Sequence, residues 1–423
     1  MRWLVAPLRS ISEQGPQYGA NLRAVPPSGK GIRYVRITDI DDLGQLRPDS
    51  LVEPDGNDFE NYLLSDGDLL LARSGATVGK SYRHVSENGQ CAFAGYLIRF
   101  RLNSCVANSR YLSYYLQTST YWNWVQAKKH VAAQPNISGA EYASLPVPLP
   151  PLREQHRIVE ILDEADRLRR LRREADAKAA RILPALFLKM FGDPATNPMR
   201  WPMLRFDEIA DARLGKMLDS KRQTGEHRRP YLRNQNVQWD FFKLDDVLDM
   251  DFLPHERAEF ELRVGDLLIC EGGEVGRAAI WDGQISECYF QKALHRVRPH
   301  PDKATPEFLL YWLWAMARCQ SLMSLNSKAT IPHLTGVQLA ALRIICPPFQ
   351  NQQDFARLVS NYRRSELRRQ EAARGIESLF QILLQRAFSG QLTAKWREAH
   401  TKELLAEMEQ QARLLNLPLP LTF

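Results

Sequence analysis

No run of 18 apolar residues occurs in the sequence, so no membrane-spanning helix and no membrane partner are expected. The opening stretch MRWLVAPLRSISEQG has no long apolar core of the kind an export signal needs, and a cytoplasmic chain is expected. The 6 cysteines (Cys91, Cys105, Cys270, Cys288, Cys319, Cys346) are scattered, with no C-x-x-C pair and no metal-ligand spacing with histidine. They read as reduced, mostly buried thiols. Catalytic signatures are missing as well. The nearest approach to an Asn-Pro-Pro-Tyr or Asp-Pro-Pro-Tyr aminomethyltransferase motif is Asn197-Pro198-Met199-Arg200, which fails, and there is no H-E-x-x-H zinc motif. The stretch Ser74-Gly75-Ala76-Thr77-Val78-Gly79-Lys80-Ser81 falls short of a phosphate-binding loop, because Ser74 stands where that loop needs glycine. Nothing pairs a nucleophile with a base at recognisable spacing. The chain is therefore read as non-catalytic, with no metal and no cofactor of its own.

What the sequence does have is a duplication. Residues 150–192 recur when 197 is added to each number: Pro150-Pro151 becomes Pro347-Pro348, Gln155 becomes Gln352, Leu186 becomes Leu383 and Phe191 becomes Phe388. Each copy opens on a proline pair that sets an extended lead-in and then frees the chain to turn helical. Each continues for about 37 residues with apolar positions at helical spacing, roughly 55 Å at 1.5 Å per residue. That length exceeds an ordinary globular helix, and the spacing predicts a coiled-coil pair, packed antiparallel, with Ile161, Leu168, Ile376 and Leu383 in its seam.

The segments between the helices repeat more faintly. Trp3 aligns with Trp201, and the predicted strand Tyr34–Ile37 with Tyr231–Asn234. Gly67-Asp68-Leu69-Leu70-Leu71 aligns with Gly265-Asp266-Leu267-Leu268-Ile269, and each is followed by a glycine-containing loop. Further strands are expected near 97–102 and 295–297, and short helices near 111–116 and 308–314. A period near 200 residues marks a duplicated module rather than a solenoid. Supports that agree, carrying heads that differ, suggest one scaffold presenting two recognition surfaces.

The chain of 423 residues is long enough for several cores, and its net charge of +7 favours a polyanionic partner. Groups suited to base edges and phosphates gather on four loops. The first offers Arg73, Ser74 and Lys80; the second Lys128, Lys129, Gln134 and Asn136. The third is Arg233-Asn234-Gln235-Asn236, and the fourth offers Lys328, Thr330 and His333. Arg277 replaces Lys80 in the repeat. His333 reads equally well as a capping or buried histidine, and Trp122 and Trp124 read as core rather than as stacking platforms. The basic runs at 167–173 and 363–369 fit a solvated helix face as well as they fit a phosphate or an acidic partner.

This order of elements resembles the specificity subunit of type I restriction-modification systems. The resemblance rests on the doubled G-D-L-L segments with their small-residue loops, on Leu145–Gln155 with its Pro-Leu-Pro-Pro-Leu-x-Glu-Gln phrase, and on Ala387-Phe388-Ser389-Gly390-Gln391-Leu392-Thr393. It spans about residues 1–397; the second proline lead-in departs from it as Cys346-Pro347-Pro348-Phe349-Gln350-Asn351-Gln352, and the tail from Trp396 exceeds it. The resemblance implies an α+β fold with an internal pseudo-two-fold repeat. Two mixed α/β target recognition domains (1–150 and 194–348) would be separated by two long antiparallel coiled-coil helices (151–193 and 349–395), ahead of a helical tail (396–423). It implies a bipartite double-stranded DNA target with a fixed non-specific gap. It implies partners too: two modification (methyltransferase) subunits and restriction (translocase/nuclease) subunits, which would hold S-adenosylmethionine, ATP and Mg. The competing class is a coiled-coil adaptor whose globular units bind peptides.

Overall fold

The computed structural model describes residues 3–29, 31–128, 135–219, 223–318 and 333–418. The chain forms two compact units, one of residues 1–172 with 373–423 and one of residues 173–372.

The first unit is built on a four-stranded antiparallel sheet in the order Gln17–Tyr18, Leu97–Phe100, Leu69–Ala72, Ser81–Arg83. The central strand is an unbroken apolar run because both of its faces are covered. Leu69 and Leu71 face a core that includes Leu112, Tyr121 and Val125, while Leu70 and Ala72 face Val35, Ile40 and Phe93. The second unit repeats the arrangement with Ala210–Leu214, Leu294–Pro299, Leu267–Cys270 and Ala278–Ile280. Its central strand is buried on both faces too, Leu267 and Ile269 in one cluster and Leu268 and Cys270 in another. A second pairing recurs as well: Leu4–Pro7 lies antiparallel to Pro146–Leu149, and Met203–Arg205 to Arg343–Ile345.

The glycine-aspartate pair before each central strand has a structural task. Gly67 and Gly265 take φ of +83° and +93°, where a side chain would be strained. Asp68 is buried and accepts hydrogen bonds from Arg101 (2.9 and 3.0 Å) and from the Ser65 amide (2.9 Å). Asp266 does the same for Arg298 (2.6 and 2.9 Å) and the Arg263 amide (2.8 Å). These carboxylates are consumed in ion pairs.

The proline-pair segments carry a matched device. Gln155 is buried, accepts from the Asn108 amide (2.8 Å), and donates to the carbonyls of Val106 (3.0 Å) and Pro150 (2.9 Å). Gln352 accepts from the Thr305 amide (3.2 Å) and donates to Lys303 (3.1 Å) and Pro347 (3.0 Å). Each glutamine ties the carbonyl of the first proline in its pair to a neighbouring loop, giving partners to buried backbone groups.

The second long helix is continuous, Phe349–Phe388. The first is not: Leu152–Ala179 is followed by a separate helix, Ile182–Phe191. Pro184 accounts for the break, since it has no N–H to give to residue 180 and its ring crowds that carbonyl. In the first unit Ile158, Leu162 and Ala165 cluster with Phe380, Leu384 and Ala387 and with Tyr111 and Tyr114. Arg169 joins them, its guanidinium 3.8 Å from the Phe380 ring centre and doubly bonded to Glu377 at 2.9 and 3.0 Å. Residue numbers rise along one helix as they fall along the other. In the second unit Leu183, Phe187 and Phe191 meet Phe355 and Val359, and Tyr362 Oη donates to the Ala179 carbonyl at 2.8 Å.

The expected seam is therefore corrected. Leu168 is 40% exposed, Ile161 and Ile376 are half-buried outside the cluster, and Leu383 packs only at its edge. The helix must satisfy Tyr111 and Tyr114 as well as its partner helix, which turns its buried face onto Ile158, Leu162, Ala165 and Arg169. Arg169 is hidden because its charge is paired and stacked, so an apolar pattern does not find it.

The tail closes the first unit. Along Thr401–Leu415, Leu404 is buried, and Met408 and Ala412 enter the core. Glu407 accepts from the Arg153 amide (3.2 Å) and side chain (2.8 Å) at the start of the first helix. Buried Glu154 accepts from Trp3 Nε1 (3.0 Å), Thr393 Oγ1 (2.6 Å) and Arg397 Nε (2.8 Å). The Phe388–Thr393 phrase thus acts as a clasp, with Gly390 at φ +75° beside Trp3 and Arg397.

The corrected seam predicts a contrast. Leu162→Asp places an unpaired charge in the buried cluster and should destabilise the first unit by several kcal/mol, on the order of 3–5. Leu168→Asp should stay within about 0.5 kcal/mol. Chemical denaturation of the two variants checks this, and equal losses would return Leu168 to the seam.

Candidate nucleic-acid interface

In each unit the loop leaving the central strand is tied to a distant loop by the same backbone hydrogen bonds. In the first unit the Arg73 amide donates to Tyr96 O (3.0 Å), Gly75 N to Pro135 O (3.0 Å), and Ile137 N to Arg73 O (2.9 Å). In the second the Glu271 amide donates to Ala293 O (2.9 Å) and Leu334 N to Glu271 O (2.7 Å). Beyond each crossing the chain enters a short helix through a capping box, Ser138 with Glu141 and Thr335 with Gln338. Gly79 cannot be replaced easily, because a Cβ there would stand 2.9 Å from Trp122 and Val125. Trp122 and Trp124, on the helix Ser119–Lys128, both pack on the core, as expected of them.

This crossing brings expected site residues together. Arg73 Nε donates to Asn136 Oδ1 (3.4 Å), and its guanidinium lies 4.8 Å from the centre of the Tyr18 ring. Tyr18 is 41% exposed and Tyr96 60%. Two of the four expected loops are thus brought together, with half-buried Arg73 and Asn136 beside the exposed Tyr18 ring. Ser74 belongs to the crossing but is only 7% exposed, paired through its backbone with Asn136. Lys80 forms an ion pair with Asp42 at 2.7 Å and holds that carboxyl below its ordinary range. Lys128 is exposed at the end of the Ser119–Lys128 helix. Lys129 and Gln134 lie outside the described residues.

In the second unit Asn234 Nδ2 donates to Gly272 O (2.8 Å), and Arg277 donates to the carbonyl (3.0 Å) and side-chain oxygen (3.2 Å) of Asn234. Exposed His333 stands against Gly272, its Nδ1 3.0 Å from where a Cβ would be. Asn234, Arg277 and His333 therefore share one surface. Their neighbours are engaged otherwise. Arg233 and Gln235 both bond Asp246 Oδ2 (2.9 and 2.6 Å). Asn236 is 2% exposed and donates to the carbonyls of Lys243 (2.9 Å) and Asp246 (3.0 Å). These three residues knit the 233–246 segment. Lys328 and Thr330 lie outside the described residues.

Sequence reasoning missed Tyr18, Tyr96 and Glu271. The tyrosines sit in no motif and become neighbours of Arg73 only through strand pairing. Glu271 lay within a noted loop, but a carboxylate does not suggest a polyanion's partner. Among the described residues no cluster of His, Cys, Asp and Glu is placed to hold a metal, and no helix is long and apolar enough to cross a membrane.

The chain is similar to known proteins over nearly its whole length. The family model for the type I restriction modification DNA specificity domain matches twice, at residues 28–178 and 198–374. The specificity subunit of the type I restriction enzyme EcoKI from Escherichia coli K12 is 23% identical, over 98% of this chain and 94% of its own length. That of StySPI from Salmonella potsdam is 23% identical, over 84% of this chain and 81% of its own. A chain in a solved structure of a type I R-M system has the same fold, with a TM-score of 0.57 at 18% identity, covering 92% of this chain and 98% of that one.

The crossing in the second unit also rests on His295, whose Nε2 bonds the Leu334 carbonyl at 2.8 Å. Burial lowers the His295 pKa, which favours the neutral ring in the folded state. The stability this contributes is complete above the unfolded value near 6.5 and is lost as pH falls below it, on the order of 1 kcal/mol per pH unit. Denaturant unfolding of the native chain should therefore weaken more steeply between about pH 6.5 and 5 than that of His295→Gln. Parallel pH profiles would remove the histidine from this role.

Proposed function

We propose how the chain works within the family to which it belongs, the type I restriction modification DNA specificity family. It is the DNA sequence-recognition subunit of a type I restriction-modification system and is not itself an enzyme, which sets the peptide-binding adaptor aside. In our reading each unit reads one half of a bipartite double-stranded target, across a gap of fixed length and arbitrary sequence. One observation carries this: the same backbone crossing recurs in both units with different side chains on it, Arg73, Asn136 and Tyr18 in one and Glu271, Asn234 and His333 in the other. A repeated frame with unlike contact groups suits two different half-sites.

The long helices, in this reading, form an antiparallel coiled coil about a pseudo-two-fold axis and measure the gap. Two major-groove readers on one face of B-DNA sit about 34–36 Å apart. A helix of the 40 residues spanning Phe349–Phe388 is roughly 60 Å long and can support heads at that separation. The helices also dock two modification (methyltransferase) subunits, and restriction (translocase/nuclease) subunits join the complex. S-adenosylmethionine, ATP and Mg belong to those partners, and the assembly works in the cytoplasm.

Two experiments test this. Exchanging residues 1–150 for the first unit of a relative should change one half of the methylated site and leave the other; a change in both halves, or in neither, refutes modular reading. Inserting four residues between Ala175 and Ala179 adds about 6 Å and turns the head by about 40°. Methylation mapping should then show weaker use of the original target; unchanged efficiency would mean that the helices do not set the gap.

A further inference from the structure

Arg73 and Glu271 occupy the same place in the repeated frame. Each is the first residue after its central strand, and each has its amide and carbonyl held by the same crossing. Their charges are opposite, and among the described residues neither takes part in an ion pair. Arg73 makes no ion pair among the described residues; only its Nε is engaged, by Asn136, and its guanidinium rests on Tyr18. Among the described residues the two terminal nitrogens have no hydrogen-bond partner, and such a pair can reach two acceptors on one base edge.

Glu271 is the more informative of the two. Carboxylates around it in the second unit are spent: Asp246 on Arg233 and Gln235, Glu274 on Trp239 Nε1 and Arg277, Glu256 on Lys216. The half-buried Glu271 side chain makes no hydrogen bond and no ion pair among the described residues. The titratable group it influences is His295, behind the crossing, where burial lowers the pKa and the Glu271 carboxylate acts against it. A lone carboxylate is repelled by phosphates, so on a DNA-reading surface it is a liability unless a base donates to it. In the major groove the group that suits it is the exocyclic amine of cytosine, whereas arginine suits O6 and N7 of guanine.

We infer that Arg73 and Glu271 are specificity-determining residues of opposite polarity, Arg73 selecting a guanine in the half-site of the first unit and Glu271 accepting from a cytosine amine in the half-site of the second. This rests on the reading of both units as DNA-binding. It goes beyond that reading in assigning a base to each unit and in giving an acidic residue a positive role. Tyr18 and Asn136 act as positioning residues that hold the Arg73 guanidinium over the loop.

The test selects duplexes from a random-sequence library with the full chain assembled with its modification subunits, comparing wild type, Arg73→Gln and Glu271→Gln at two salt concentrations. Both substitutions are at solvent-accessible loop positions, and matched melting curves confirm folding. Wild type should enrich a bipartite motif. Arg73→Gln should lose roughly 5- to 100-fold discrimination at one guanine of one half, with adenine gaining there, and leave the other half intact. Glu271→Gln should relax one cytosine in the opposite half by a similar factor. Uniform weakening by Arg73→Gln on all sequences, with a shallower salt dependence, would make Arg73 a phosphate contact and overturn its assignment. Tighter binding by Glu271→Gln with an unchanged motif would make the carboxylate a bystander. Both variants altering the same half would overturn the pairing of residue with unit. A wild-type complex that enriches no motif would instead sink the DNA reading itself.

Discussion

The central strand of each unit is buried on both faces, and the placement of the recognition loops depends on that burial. Leu69–Ala72 and Leu267–Cys270 cannot slide by one residue without exchanging the side chains that face the two cores. Because the register is fixed, the first loop residue leaves the strand at a fixed point, and the crossing with residues 135–137 or 334 closes on it. Asn136 in the first unit and His333 in the second come from remote parts of the sequence and are positioned by this closure, while Tyr18 is brought in by its strand pairing. Rigidity at the strand is what allows variety at the loop.

A second constraint lies where extended chain becomes helix. The carbonyls of Pro150 and Pro347 lie inside the protein, and a buried carbonyl left unpaired is destabilising by roughly 1–3 kcal/mol. Gln155 and Gln352 answer this identically in their own units. In the first unit Gln411 of the tail donates to the same two carbonyls, Val106 at 3.0 Å and Pro150 at 3.3 Å. The tail therefore reinforces a junction that the duplication already provides, and it does so only in the unit that contains the clasp of Glu154, Thr393 and Arg397.

Much of this was legible in the sequence because the duplication filters it. Segments that recur, the G-D-L-L strands after 198 residues and the proline pairs with their glutamines after 197, are those on which the frame depends. Local chemistry was harder to read. The seam was misplaced because an apolar pattern cannot weigh Tyr111 and Tyr114, which arrive from a distant helix, nor foresee Arg169 buried against Phe380 and Glu377. Polar loop residues were found as a class, but their engagement was not: Arg233 and Lys80 look as free as Arg73 in sequence, and only the fold brings Asp246 and Asp42 to them. The break before Ile182 was readable from Pro184, yet the continuous periodicity on either side concealed it.

Conservation of frame and divergence of charge follow from different physics. The frame lives on burial, where an unpaired group or a lost methylene costs kilocalories, so its residues return in both copies as the same types. The loop residues Arg73 and Glu271 are only half-buried, and there a difference in side chain costs folding less than in the core. On such a surface the sign of an unpaired charge is therefore free to be set by the ligand rather than by the fold. A net positive chain can hold a polyanion through its many dispersed cations while leaving a few positions to discriminate. An isolated anion at one of those positions lowers general affinity and is worth keeping only where a particular donor meets it. In the proposed reading the duplicated scaffold separates the two demands, with attraction spread over the surface and selection concentrated at the crossings.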